Sequence, residues 1–184
     1  QQGPVDVRYG SQPVFLANLL VRVSDAGIND AQTAEDVLLH IDQIVPFIEL
    51  ADLQVQKPSG LTAHHLMAIN AAARLGVMGQ PFAVEADAKN RKRLLRELEG
   101  MSVRVMDGKG RLLGRGKGSD VMGHPLRSVV WLAAALRKEG LSLQPGQWVS
   151  LGALSPMFRP RAGEKVTVAY AGLTGVRPVG VRFQ

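Results

Sequence analysis

The sequence predicts an α+β fold that is mainly β, with a few packed helices. Two observations lead to this prediction: predicted strands outnumber predicted helices, and the strands come in hairpins rather than in alternating β-α-β units. The length of 184 residues suits one domain with its own hydrophobic core. We therefore expect an irregular N-terminal arm over residues 1–13 and a single domain over residues 14–184.

The first two predicted elements are a strand and a helix. The apolar run VFLANLLVRVSD, residues 14–25, is bounded by a Ser-Asp pair and predicts a buried strand. Thr33 and Asp36 have approximately the spacing of a capping box, in which side chains satisfy the first backbone N–H groups of a helix. Apolar residues spaced for one helical face follow, so we expect a helix that stops at Pro46.

The central part of the chain predicts two strands, an ambiguous segment and a basic helix. The segment FIELADLQV, residues 47–55, is a predicted strand that carries Glu49 among apolar neighbours. Residues 60–76 fit either a helix or an irregular segment, and residues 77–84 predict a strand. Residues 87–100 predict a short helix with leucines on its buried side and cations on a solvated face. The cations are Lys89, Arg91, Lys92, Arg93 and Arg96.

The last part of the chain predicts a hairpin, a helix and further strands. Residues of β type flank Asp107-Gly108, a pair suited to the positive φ angles of a tight turn. A helix is expected from Pro125 to about Lys138, with Gly140 just beyond its end. The remaining predicted strands lie in residues 145–154 and in a hairpin over residues 164–183 that turns at Gly172 to Gly175.

Composition and charge exclude several classes of function. The net charge of +6 would favour polyanions if it were gathered on one face, but acidic residues dilute the basic cluster and no aromatic residue accompanies it. We therefore expect no nucleic-acid partner, and we expect no membrane span because no apolar run is long enough. The absence of cysteine excludes disulfides, thiol catalysis and cysteine-ligated zinc. The N-terminus lacks Met, which favours export slightly over a cytoplasmic location.

A glycine-rich stretch, GRGKGSDVMGHPL at residues 114–126, raises the question of phosphate binding. A P-loop requires Ser or Thr after Gly-Lys, whereas Gly116-Lys117 is followed by Gly118. The alternating glycines also depart from a dinucleotide-binding fingerprint. We expect instead that another backbone or a ligand approaches this strand closely. The amides at the start of the following helix could receive a carboxylate near Ser119.

Residues 114–183 contain three specific motifs, GHPL, VVWLA and GALSPM, followed by a closing strand pair. With these marks the stretch resembles the C-terminal part of 2-keto-4-pentenoate hydratases and 4-oxalocrotonate decarboxylases, within the fumarylacetoacetate hydrolase superfamily. Weaker agreement extends back to Gln12. The resemblance implies a rolled or barrel-like β core with flanking helices, assembled as a homo-oligomer. It also implies chemistry on small carboxylates or 2-keto acids, in which magnesium or manganese, held by three carboxylates, stabilises an enolate.

The matching positions suggest that the metal site is altered in this chain. The family's first two metal ligands, a Glu-x-Glu pair, match Leu16 and Asn18, and the third matches Glu49. One carboxylate and one amide offset the dehydration of a divalent cation poorly, so we expect no metal cofactor. Magnesium or manganese is expected only if the family site survives. The family's Arg and Asp after the third ligand match Gln54 and Lys57.

The candidate site is completed by polar residues around the expected pocket. A family Asp-Asn pair aligns with Ile69-Asn70, and the family's threonine before the GALSPM motif aligns with Leu151. The predicted substrate-binding residues are Lys57, Asn70, Lys117 and Ser119, and no catalytic residue is assigned. Glu49 is either a metal ligand or a buried carboxylate satisfied by hydrogen bonds or by Lys57.

Histidines and tryptophans are interpreted structurally. His64 and His65 are adjacent and cannot form an i, i+4 metal pair, so we expect surface or capping roles. His124 is expected to bond the backbone, and Trp131 and Trp148 are expected in the core. Three functions follow as hypotheses: a hydratase or decarboxylase of 2-keto acids, a non-catalytic relative that keeps the fold for ligand binding or assembly, and a metal-free activity in which Lys57 replaces the cation.

Overall fold

A computed structural model describes residues 3–55 and 60–184. These residues form nine strands and four α-helices. The strands are β1 (Pro13–Val23), β2 (Ile41–Asp52), β3 (Leu75–Met78), β4 (Phe82–Ala83), β5 (Ser102–Asp107), β6 (Leu112–Lys117), β7 (Trp148–Ser150), β8 (Lys165–Ala171) and β9 (Val179–Arg182). The α-helices are α1 (Ala34–Val37), α2 (Ala63–Ala68), α3 (Ala88–Gly100) and α4 (Arg127–Lys138).

Two antiparallel sheets form the core, which confirms the predicted mixed, mainly β class. The first sheet has the order β3-β2-β1-β7, with β4 also paired to β2. The second has the order β6-β5-β8-β9. Side chains from both sheets share one hydrophobic cluster, which joins them into a single packed unit.

The long pair of β1 and β2 replaces most of the helix that was expected to stop at Pro46. The predicted capping box of Thr33 and Asp36 is present, but α1 ends at Val37. Residues from Ile41 onward pair with β1 instead, and Pro46 lies between the parts of β2 that pair with β3 and β4. The helix prediction was wrong because a run of β-branched residues gains more from sheet pairing and burial than from local helical spacing.

The first sheet has two chemically different faces because side chains alternate along a strand. Ala17, Leu19 and Val21 of β1 are fully buried in the core between the sheets. Leu16 and Asn18 point to the opposite, outer face, together with their β2 neighbours. A second, smaller apolar cluster covers part of this outer face. The outer face also carries the polar side chains of Asn18 and Glu49, which are in contact with each other.

The glycine-rich strand β6 packs against other backbone segments, as expected. Cβ atoms built at Gly116 and Gly118 would overlap the backbone carbonyls of Leu154 and Leu98. The glycines thus allow close backbone packing rather than ligand approach. In the adjoining hairpin the positive φ angle falls on Gly110, at 77°, and not on the Asp107-Gly108 pair that was expected to adopt it.

The predicted helices α3 and α4 are confirmed, with α4 beginning two residues after Pro125. Leu94 and Leu98 form the buried side of α3, and the basic face is largely exposed. The prediction that both tryptophans lie in the core was wrong, because Trp131 is 62% exposed and Trp148 is 39% exposed. Trp131 lies on α4 away from the face that buries Val129 and Ala133.

Residues before β1 are held to the domain by hydrogen bonds. Val5 forms a bridge with Phe183, and the buried Tyr9 hydroxyl donates to the carbonyl of Val14 at 2.6 Å. The buried carboxylate of Asp52 accepts from the backbone N–H groups of Ser11 and Gln12. These contacts hold the segment that contains Tyr9 against the domain.

No helix in the described ranges is long and apolar enough to cross a membrane.

Candidate functional site

A pocket of about 440 Å³ lies on the outer face of the first sheet. Its polar lining consists of Glu49, Asn70, Arg74 and Ser150. Its apolar walls are Leu20, Phe47, Ala73, Leu75 and Trp148. The volume and the mixture of apolar walls with a few polar groups are typical of small-molecule sites.

Strand pairing brings the polar groups of this pocket together. Glu49 on β2 is paired with Gly76 of β3, and Ser150 on β7 is paired with Leu20 of β1. Directly opposed residues of antiparallel strands project from the same face of the sheet. Gly76 leaves room for the Phe47 ring, since a Cβ atom there would overlap that ring. The pocket is therefore a product of sheet register.

Asn18 is the fully buried hub of the site. Its amide nitrogen Nδ2 donates to Glu49 Oε2 at 2.9 Å and to Ser150 Oγ at 2.7 Å. Its oxygen Oδ1 accepts from the backbone N–H of Leu19 at 2.7 Å. Because a backbone N–H can only donate, the atom beside Leu19 must be the oxygen, and both amide hydrogens must face Glu49 and Ser150.

A second buried contact fixes the backbone of Asn18. The Tyr170 hydroxyl donates to the carbonyl of Asn18 at 2.6 Å. Burial raises the pKa of the Tyr170 phenol, which keeps it neutral and able to donate. Tyr170 lies on β8, so this hydrogen bond joins the two sheets directly beneath the site.

The donor set at this position does not fit a divalent cation. Magnesium requires oxygen lone pairs, whereas Asn18 directs two N–H hydrogens at the place between Glu49 and Ser150. Leu16, which is paired with Glu49 across the β1–β2 ladder, contributes only an apolar side chain. Within residues 3–55 and 60–184, no group of three or more His, Cys, Asp or Glu side chains could hold a metal ion.

Arg74 supplies the positive charge of the pocket and was missed by sequence reasoning. Its Nε donates to the carbonyl of Tyr9 at 2.9 Å, which orients the guanidinium. It forms no ion pair with a described residue, although it lines the same pocket as Glu49. Arg74 falls in the segment that was ambiguous from sequence, and only the β2–β3 register reveals its position beside the pocket.

Asn70 reaches the pocket from a strained turn. Asn70, Ala71 and Ala72 have φ angles of 52°, 52° and 63°, in the left-handed region. This conformation costs about 1–2 kcal/mol per residue that has a Cβ atom, and such strain is concentrated at functional sites. Burial of Ala72 in the smaller apolar cluster helps to hold this turn.

Trp148 forms one rim of the pocket and is held by a charged neighbour. The guanidinium carbon of Arg22 lies 5.9 Å from the centre of the Trp148 ring. Arg22 also makes two hydrogen bonds to Asp42, at 2.8 and 2.6 Å, and this interaction lowers the pKa of the Asp42 carboxyl. The pair holds the guanidinium near the ring.

The structure brings only part of the predicted site together. Glu49 and Asn70 line the pocket, whereas Lys117 and Ser119 are not among its described lining residues. Lys117 is exposed at the end of β6, in the other sheet, and its backbone N–H donates to Asp120. Lys57 lies outside the described residues. A ligand-binding role for Lys57, Lys117 and Ser119 stays a prediction.

The expected structural roles of the histidines are confirmed. His65 takes part in the capping box of α2, where its Nδ1 lies 3.0 Å from the Thr62 hydroxyl. His124 is buried, with Nε2 3.0 Å from the carbonyl of Leu95 and Nδ1 3.2 Å from the backbone nitrogen of Leu126. Neither histidine lines the pocket.

Comparison with solved structures identifies the fold. The 4-oxalocrotonate decarboxylase from Pseudomonas putida G7, complexed with magnesium and adipate, superposes with a TM-score of 0.80 at 24% identity, covering 99% of this chain and 64% of that one. Yeast ynq8, a fumarylacetoacetate hydrolase family protein, superposes with a TM-score of 0.69 at 15% identity, covering 100% of this chain and 72% of that one. The chain therefore has the fumarylacetoacetate hydrolase fold.

Sequence comparison points to the same relatives. The 4-oxalocrotonate decarboxylase of Pseudomonas putida is 28% identical over 141 residues, covering 77% of this chain and 50% of the relative. The 2-keto-4-pentenoate hydratase 2 of Dechloromonas aromatica is 27% identical over 165 residues, covering 90% of this chain and 59% of the relative. No family model matches the chain. The chain spans about half the length of these relatives, and the resemblance to 2-keto-4-pentenoate hydratases and 4-oxalocrotonate decarboxylases is confirmed.

Proposed function

We propose that the pocket binds a small carboxylate without a divalent metal. On this proposal the chain lacks the metal-dependent hydration or decarboxylation suggested by its relatives' names. The observation that supports the proposal is the orientation of the Asn18 amide, whose two hydrogens are directed at Glu49 and Ser150. A cation placed there would face N–H hydrogens, and Asn18 would lose both of its hydrogen bonds.

The energetics favour the hydrogen-bonded arrangement over a metal. The family resemblance implies three carboxylates around the metal, and three negative charges offset the cost of removing water from magnesium. Here Glu49 retains one charge, while Leu16 and Asn18 supply none. Asn18 is fully buried, so breaking its hydrogen bonds to accept a metal would leave polar atoms unpaired at a cost of about 1–3 kcal/mol each.

A carboxylate is the ligand that the remaining groups suit. The Arg74 guanidinium can make charge-assisted, two-point hydrogen bonds to a carboxylate, and the apolar walls can cover a short carbon chain. The solved relative holds adipate, a small carboxylate, with magnesium. This chain would keep the ligand class and replace the metal's charge with that of an arginine.

Homo-oligomer formation is a separate proposal that rests on exposed apolar side chains. Met67 is 77% exposed on α2 and Leu75 is 53% exposed on the edge strand β3. Light scattering coupled to size-exclusion chromatography tests this, and a monomer at all accessible concentrations would contradict it.

The experiment for the main proposal compares turnover of a 2-hydroxydienoate with and without magnesium or manganese. We expect no metal-dependent turnover above that of a matched Glu49→Gln control. Metal-dependent turnover that Glu49→Gln abolishes would contradict the proposal and would favour an active hydratase or decarboxylase.

A further inference from the structure

We infer that Arg74 is the carboxylate-binding residue of this pocket and that Glu49 and Ser150 select a ligand with a hydroxyl group beside that carboxylate. The ligand class is a short 2-hydroxy monocarboxylic acid, preferred over the 2-oxo acid of the same length. The inference rests on the proposed metal-free site, because a bound metal would chelate a 2-oxo acid instead.

Among the described residues that line the pocket, Arg74 carries a positive charge that no ion pair neutralises. Its Nε is occupied by the Tyr9 carbonyl, which leaves both terminal nitrogens without a described hydrogen-bond acceptor. A guanidinium pinned at Nε presents its terminal N–H groups in a fixed direction, which reduces the entropy lost when a carboxylate binds. The Tyr9 carbonyl is itself held in place, since the Tyr9 hydroxyl bonds to Val14.

Glu49 and Ser150 form a matched acceptor and donor. Glu49 Oε2 is occupied by Asn18, while Oε1 accepts no hydrogen bond from a described residue. Ser150 Oγ uses a lone pair to accept from Asn18, which leaves its hydroxyl hydrogen free to donate. Both side chains line the pocket with Arg74. A ligand group that accepts from Ser150 and donates to Glu49 would satisfy both.

A hydroxyl group meets this requirement and an oxo group does not. A hydroxyl can accept from Ser150 and donate its hydrogen to Glu49. An oxo group can only accept, so its lone pairs would face the Glu49 carboxylate without a hydrogen between them. Asn18 cannot correct this mismatch, because both of its amide hydrogens are already used within the site. Discrimination therefore comes from the absence of a free donor on the Glu49 side.

The pocket offers space for the short carbon chain of such an acid. The volume of about 440 Å³ is near the lower end of ordinary ligand sites. Apolar contact is available from Leu20, Phe47 and Trp148. A five-carbon acid fits this description, and pentanoate, 2-hydroxypentanoate and 2-oxopentanoate form a matched series of probes that differ only at the second carbon.

The test is calorimetric titration of the full chain with the three acids in buffer that contains a chelator. We expect 2-hydroxypentanoate to bind about fivefold to tenfold more tightly than 2-oxopentanoate, the effect of one well-formed hydrogen bond. Arg74→Gln should lower the affinity for every acid that binds by about tenfold or more, because it removes the positive charge. Arg115→Gln, on the exposed strand β6 of the other sheet, is the matched control and should bind as wild type.

Glu49→Gln provides the second, independent readout. The glutamine can keep the hydrogen bond from Asn18 through its oxygen and turn its N–H₂ group toward the ligand, so the preference should reverse in favour of 2-oxopentanoate. Unchanged affinity in Arg74→Gln, an unchanged preference in Glu49→Gln, or no binding of any acid to the wild type would each overturn the inference. Repeating the titration with manganese and without the chelator separates the two proposals: strong enhancement by the metal contradicts the metal-free site, whatever Arg74→Gln does.

Discussion

Asn18 and Glu49 lie on adjacent strands, and the amide of Asn18 donates to the carboxylate of Glu49 at 2.9 Å. One residue is fully buried and neutral, and the other reaches a pocket and carries a charge. The same amide also donates to Ser150, so three strands of the sheet meet at one side chain. We propose that this hydrogen-bonded group takes the place of the metal that the family resemblance implies.

Asn18→Asp should destabilise the fold at neutral pH by about 2–4 kcal/mol, because it places a second carboxylate beside Glu49 and removes the donor to Ser150. Urea denaturation at pH 7 measures the change in the free energy of unfolding. The loss should shrink as the pH falls and one of the two carboxylates binds a proton.

The double variant Asn18→Asp/Glu49→Gln is the control for that substitution. The amide introduced at position 49 can donate to the carboxylate introduced at position 18, so we expect most of the stability to return at neutral pH. If the double variant is no more stable than Asn18→Asp, charge repulsion is not the cause of the loss.

Ala71→Gly should raise the free energy of unfolding by up to about 1 kcal/mol. Ala71 has a φ angle of 52°, where a Cβ atom is strained and glycine is not, and this relief exceeds the extra chain entropy of glycine. Ala134→Gly, at an exposed position within α4, should instead lower stability by about 1 kcal/mol. If urea denaturation shows a lower free energy of unfolding in both variants, the turn at Asn70 is not strained.

Gly116→Ala should lower the free energy of unfolding by about 1–3 kcal/mol, because the added methyl group overlaps the carbonyl of Leu154 and forces the backbone apart. Gly100→Ala is the matched control, since nothing lies near the position of its Cβ atom. Equal melting temperatures for the two variants would contradict close packing around β6.

His124 should make stability depend on pH. Burial lowers the pKa of its imidazole, so the neutral form is favoured in the folded state. Its contribution to the free energy of unfolding is therefore present at pH values above the ordinary histidine pKa of about 6.5. That contribution is lost as the pH falls through the lowered pKa of the folded state. His124→Gln should be less stable than wild type at pH 8, and the difference in unfolding free energy should narrow by pH 5. A difference that widens toward acid would reverse this assignment.

The parts of the fold with local signals could be predicted from sequence. The strand carrying Glu49 and the helices α3 and α4 follow from apolar spacing and, for α4, from Pro125 and Gly140 near its ends. The helix expected up to Pro46 failed, because pairing with β1 is a long-range interaction that local spacing does not record. Trp131 was misplaced because size and apolarity do not decide which side of a helix faces the core.

The candidate site also contains some residues that the sequence could identify and others that required the structure. Asn18 and Glu49 were identified through the family resemblance, and the register of β1 and β2 makes them neighbours. Arg74 could not be found, because neither a motif nor a periodic pattern marks it and its position depends on pairing with β2 and on the Tyr9 carbonyl. The direction of the Asn18 amide also required the structure, since the Leu19 N–H determines it.

Calorimetric titration of manganese into the wild type and into Leu16→Glu/Asn18→Glu tests the central claim most directly. The double variant restores the three carboxylates that the resemblance implies, and circular dichroism first establishes that it is folded. We expect no binding to the wild type at about 1 mM manganese and binding below that concentration in the double variant. Wild-type binding well below 1 mM that Glu49→Gln abolishes would contradict a metal-free site.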